Sequence, residues 1–120
     1  LISLAGEKRE LGIKGENLAV RHLVKKGFQI IERNFRCRMG EIDIIARDGD
    51  YLVFVEVRTR SRREYGLALE SISRAKINKL RQLAGYYLAR HPQERLFTRF
   101  DVVAVDWSAG EEITHIENAF

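Results

Sequence analysis

The feature that most narrows the fold of this chain is the stretch GEIDIIARDGDYLVFVEVRTR, residues 40–60, where two alternating apolar runs meet at Asp48-Gly49. An Asp-Gly step between such runs predicts a tight antiparallel hairpin, because glycine supplies the positive φ of a turn matched to strand twist. With Asp48 and Gly49 as the two loop residues, Arg47 faces Asp50, Ala46 faces Tyr51, Ile44 faces Val53 and Ile42 faces Val55. That register gathers these apolar side chains on one core-facing surface and leaves Glu41, Asp43, Leu52, Phe54, Glu56 and Arg58 on the other. Asp43 and Glu56 then become diagonal neighbours, with Glu41 opposite Glu56. A three-residue loop would scramble the apolar set and split the two carboxylates between faces, so burial favours the two-residue turn.

Around this hairpin the periodicity changes. From about Glu7 to Lys26, Leu11, Gly15, Leu18, Ala19 and Leu23 recur at three- and four-residue steps, and Gly27 follows where a left-handed cap ends a helix. Glu16 lies on the flank of that stripe and points partly inward. FQIIERNFRC, rich in β-branched and aromatic residues, predicts a strand. TRSRREYG predicts a mobile loop, after which Ser73 is placed to cap a helix that runs to about Arg90 and ends at His91-Pro92. Strands in RFDVVAVDW and EITHIE complete the order α-β-β-β-α-β-β, an α/β fold with helices packed on a mixed sheet. No repeat, low-complexity tract or Pro/Gly-rich linker interrupts the 120 residues, which predicts a single domain over 1–120.

Composition excludes several classes. Apolar residues make up 45% and charged residues 32%, which describes a globular chain rather than a disordered one. No apolar run is as long as a membrane span. The opening LISLAGEKRELG has no basic region ahead of an extended apolar segment, so no secretion signal is expected, and a first residue other than Met hints at trimming. A lone Cys37 excludes an internal disulfide and a thiolate zinc cluster, and fits a reducing, cytoplasmic compartment. It is expected to pack. The net charge of +4 is bunched at Arg33, Arg36 and Arg38, at Arg58, Arg60, Arg62 and Arg63, and at Arg74, Lys76, Lys79 and Arg81. Bunching of this kind suits a polyanion, although charge alone fits an ordinary solvated surface better.

The chemistry-bearing candidates are Asp43 and Glu56. Carboxylates this close repel unless a cation offsets them, and Mg2+ or Mn2+ is the natural ion, since a hard cation that keeps its waters needs only one or two carboxylates. On spacing alone, Glu56 paired with Arg58 or Arg60 on a charged sheet surface is an equal alternative. Ile42 and Ile44 flank Asp43, and Val55 and Val57 flank Glu56, which places both in covered strands and favours the metal reading. His22, His91 and His115 fall in three different elements, so there is no local zinc motif. His22 is read as a packing or surface residue, and Trp107, Phe28, Phe35 and Phe54 as core.

GEIDIIARDGDYLVFVEVRTR, with GENLAVRHLVKKGF upstream and RFDVVAVD and HIENAF downstream, resembles the YraN family of uncharacterised bacterial proteins, over nearly the whole chain from about Leu11 to Phe120. The resemblance implies a restriction-endonuclease-like fold shared with Holliday junction resolvases, and a PD-(D/E)XK-like site. It assigns Asp43 and Glu56 as the metal-binding acids, places Arg58 where the pattern has lysine, and makes Glu16 an additional acid for the metal. Gln82 and Tyr86 resemble the QxxxY pattern of the RecB-like branch, and with Glu41 they are the accessory candidates.

Together these readings predict a Mg2+- or Mn2+-dependent deoxyribonuclease in which water attacks the phosphodiester and Arg58 stabilises phosphoryl charge, with Arg60, Arg62 and Arg63 gripping flanking phosphates. Arg58 keeps its charge and cannot act as a general base, so an inactive nucleic-acid-binding module is the alternative. A structural subunit with an acidic protein partner ranks last. Homodimerisation stays open, since no feature identifies an interface.

Overall fold

A computed structural model of the chain describes residues 4–60, 72–92, 96–107 and 110–120. Most of the TRSRREYG segment, with Arg62 and Arg63, lies outside the described residues. The elements are α1 (Leu4–Lys25), β1 (Gln29–Cys37), β2 (Gly40–Asp48), β3 (Tyr51–Arg60), α2 (Arg74–Arg90), β4 (Phe97–Asp106) and β5 (Glu112–Ile116). This is the α-β-β-β-α-β-β order expected from the sequence. The strands form one sheet in the order β1-β2-β3-β4-β5. All neighbours are antiparallel except β3 and β4, which run parallel. Parallel neighbours need a crossover, and α2 lies within it.

Both faces of the sheet are covered. Ala19 and Leu23 of α1 pack with Ile44, Ala46, Val53, Val55 and Val103. Leu80, Leu83, Ala84 and Tyr87 of α2 pack with Ile42, Ile45, Leu52 and Phe54. Each fully buried Val, Leu or Ile in these clusters contributes about 1.5–3 kcal/mol. Helix α1 sits so close to β3 that a Cβ on Gly15 would collide with the Thr59 hydroxyl. Ser73 caps α2 as expected, its Oγ accepting the Lys76 N–H at 3.1 Å. Among the described residues, no helix is long and apolar enough to cross a membrane.

The hairpin register differs from the sequence expectation by two positions. Asp48 pairs with Tyr51, Ala46 with Val53 and Ile44 with Val55. The loop is therefore Gly49-Asp50 rather than Asp48-Gly49. Gly49, with φ of 58°, takes the first central position, as in a type II′ turn. Contacts from β4 select this turn: Arg99 Nη2 lies 3.0 Å from Asp48 Oδ2, and the Phe97 N–H donates to the Asp50 carbonyl at 2.9 Å. Asp48 is thereby kept in the strand. Two details of the expected faces also change. Tyr51 is 41% exposed, and Ile42 packs with Ile45 and Phe54 against α2 rather than with Ile44. The alternation of β2 is broken at Asp43, whose Oδ2 accepts the Val57 N–H at 2.8 Å. A side chain there does the work of a backbone acceptor.

Candidate functional site

The shifted register brings Asp43 and Glu56 together more directly than the diagonal placement expected from the sequence. The ladder of β2 and β3 runs to the pair Ile44–Val55, and these two acids are the next residue on each strand. Their carboxyl groups are close enough for each to feel the other's charge. Burial, followed by the Glu56 charge, pushes the Asp43 carboxyl up to about 8, with the Val57 N–H opposing and Glu41 adding a smaller push. Asp43 is thus a carboxyl that resists ionisation in the folded chain.

Glu56 is only 5% exposed and lies between two cations. Arg58 Nη2 is 3.3 Å from Glu56 Oε2, and Lys76 Nζ is 3.7 Å from the same oxygen. The Nε of Arg58 is buried without a hydrogen-bond partner among the described residues. A buried donor left open is costly unless a ligand fills it. From the sequence Lys76 counts only among the bunched basic residues, not as a neighbour of Glu56. The available signal is its place in the first turn of the helix after β3, because a crossover helix sets out from the end of the strand it leaves.

Glu16 and Glu41 are engaged elsewhere. Glu41 stands opposite Arg36 on β1 and pairs with it at 3.1 Å, so the expected position opposite Glu56 is not the one adopted. Glu16 lines a cleft with Asp43, but its Oε1 accepts bonds from Arg33 and Asn34 at 3.0–3.1 Å. Among the described residues, no three His, Cys, Asp or Glu side chains are grouped to hold a metal ion. The carboxylates that the fold brings together are Asp43 and Glu56.

The side chain of Arg60 is outside the described set, as are Arg62 and Arg63. Gln82 is exposed, and Tyr86 stacks under Arg90, whose Cζ is 4.2 Å from the ring centre. Cys37 is a free thiol packed against the α2 cluster. The fold also joins two histidines that the sequence kept apart. His115 Nε2 hydrogen-bonds Asp101 Oδ2 at 2.8 Å, while His22 Nε2 and Lys26 Nζ approach His115 Nδ1 at 3.3 and 3.0 Å. This second cluster ties the end of α1 to β4 and β5.

Comparison with known proteins adds the family. Residues 15–105, which span the hairpin and α2, match the uncharacterised protein family UPF0102. A UPF0102 protein of Pelotomaculum thermopropionicum is 47% identical over 120 residues, covering 98% of this chain and 100% of the relative. One from Caldicellulosiruptor saccharolyticus is 44% identical over 116 residues, covering 94% and 98%. Another, from Geobacter metallireducens, is 45% identical over 113 residues, covering 93% of each. The chain therefore belongs to the uncharacterised protein family UPF0102.

Proposed function

We propose that the chain is a Mg2+- or Mn2+-dependent deoxyribonuclease with a restriction-endonuclease-like fold, hydrolysing phosphodiester bonds, with branched or structured DNA as the first substrates to try. The observation that carries this reading is the pairing of half-buried Asp43 with buried Glu56. Glu56 already faces Arg58 and Lys76, whereas Asp43, among the described residues, has only the Val57 N–H to set against its burial and the Glu56 charge, and a divalent cation would offset both. The donor set fits a hard ion that keeps several waters and takes only one or two carboxylates. When bound, such an ion supplies positive charge against phosphoryl oxygens and acidifies water.

The chain's own groups supply the rest. Arg58 cannot take a proton, so its part is to hold negative charge as it develops on the phosphoryl group. Its unpartnered Nε is a donor ready for an anionic oxygen. Lys76 adds a second cation beside Glu56. The test is cleavage of labelled duplex, single-stranded, flap and four-way-junction DNA with Mg2+ or Mn2+, comparing the parent chain with Asp43→Ala and Glu56→Ala. Cleavage is expected to fall to background in both variants and in chelator. Unimpaired cleavage by either variant would refute the site.

Arg58 favours one second reading, a nucleic-acid-binding module on the same fold without hydrolysis. That module would bind DNA in chelator, cut none of the panel and show no Asp43-dependent affinity for Mn2+.

A further inference from the structure

A cleft of about 400 Å³ lies beside the carboxylate pair, and the hydrolytic reading leaves most of it unused. Its lining includes Arg9 from α1, Arg33 and Arg36 from β1, Thr59 from β3, and Asp43. Three guanidinium groups line one cavity, Arg33 paired with Glu16 and Arg36 through its Nε with Glu41, and the N–H groups left over from those pairs remain for an anion. The volume lies near the lower end of the roughly 300–1,000 Å³ typical of small-ligand sites. It suits one nucleotide unit rather than a base-paired duplex.

Arg33 is held in place. Its Nε and Nη2 donate to Glu16 Oε1 at 3.1 and 3.0 Å, and Nη2 also donates to Asn17 Oδ1 at 2.7 Å. A guanidinium carries five N–H donors. These bonds occupy one edge and, among the described residues, leave the two N–H groups of Nη1 for a ligand. Glu16 Oε1 accepts a further bond from Asn34 Nδ2 at 3.0 Å. Asn34 adopts a left-handed φ of 53°, a conformation concentrated where structure serves a site. Ile13, on the same lining, is 53% exposed and offers apolar contact to a sugar or base.

We propose that this cleft seats one nucleotide of a single DNA strand next to the scissile phosphate, with Arg33 and Arg36 on its phosphate. Glu16 is then the positioning residue that fixes Arg33, rather than a third acid on the metal. The proposal rests on the hydrolytic reading for the identity of the ligand as DNA and for the neighbouring scissile phosphate, while strand binding in the cleft is tested without it.

The test is fluorescence anisotropy of a labelled oligodeoxythymidylate in chelator, over a range of salt, with Mn2+ affinity measured separately by calorimetry without DNA. Arg33→Ala and Arg36→Ala are each expected to weaken strand binding about tenfold and to flatten the log–log salt slope by about 0.7. Arg33→Lys should recover part of the affinity, and Glu16→Gln should weaken strand binding while keeping Mn2+ affinity. Circular dichroism of each variant separates lost contacts from lost folding. Unchanged binding in both folded arginine-to-alanine variants would overturn the proposal. So would failure of the parent chain to bind the strand, equal binding of a matched duplex, or loss of Mn2+ affinity in Glu16→Gln with strand binding intact. Strand binding that depends on Arg33 without any DNA cleavage would sustain the cleft and sink the hydrolytic reading.

Discussion

A carboxyl pushed to about 8, as at Asp43, makes folding itself depend on pH. Below about pH 4 both folded and unfolded chains are protonated at this position, and it contributes no pH dependence. Between about 4 and 8 the unfolded chain ionises while the folded chain resists, so stability is expected to fall as pH rises. Asp43→Asn removes that burden. It should stabilise the ion-free protein most at pH 8, with the gain shrinking toward zero below pH 4, as read by urea denaturation across pH. A divalent ion acts in the opposite sense, because it needs the ionised carboxylate. The rise in melting temperature on adding Mn2+ should be larger at pH 8 than at pH 5 and absent in Asp43→Asn. An equal rise in the variant would place the ion elsewhere. At this scale the sequence named the two acids and the arginine beside them. It could not show that Lys76 reaches Glu56 or that Glu16 is bound to Arg33, because both contacts join residues far apart in the chain.

Among the elements, α1 reaches the site through one close approach. Gly15 leaves room for Thr59, and the next residue, Glu16, lines the cleft with Asp43. Gly15→Ala should push the helix from β3 and destabilise the protein by about 1–3 kcal/mol, despite alanine's better helix propensity. Adding Thr59→Ala should recover part of the loss, measured as a double-mutant cycle by thermal denaturation. The elements themselves were legible because their signals are local: the stripe of α1, the Ser73 cap of α2 and the alternating runs of the hairpin. The choice between two adjacent turns was not, since Asp48 is kept in the strand by Arg99 on β4. Nor was the broken alternation at Asp43, where a side chain replaces a backbone acceptor.

Across the whole molecule, Asp101 ties several elements together. Burial alone would raise its carboxyl, but hydrogen bonds from His115, Arg99 and the Asn118 N–H outweigh it and hold the group below its usual range. Arg99 extends the link to Asp48 at the hairpin turn, and His115 extends it to His22 and Lys26 on or just beyond α1. Asp101→Ala should therefore destabilise the protein by about 3–5 kcal/mol. The stability that Asp101 supplies is present above the unfolded value of about 4 and is lost as pH falls through its folded value. The parent chain should thus lose stability more steeply than the variant in strong acid, a difference that urea titrations below pH 4 would read. His22, kept below its usual range by burial and by the charges of His115 and Lys26, adds a smaller loss below about pH 6.5.

The parallel pairing of β3 with β4 also bears on the order in which the molecule is made. The two acids sit on a hairpin closed by a short loop, a contact that forms early and at low entropic cost. The β3–β4 pairing must wait for the intervening segment and α2 to be placed, and long-range closures of this kind are slow. Asp43 and Glu56 therefore meet while still hydrated, and the electrostatic burden arrives with the later docking of the helices. Alkaline pH should then leave hairpin formation almost untouched and slow the final closure, so the pair proposed to hold the ion would also set the height of a kinetic barrier.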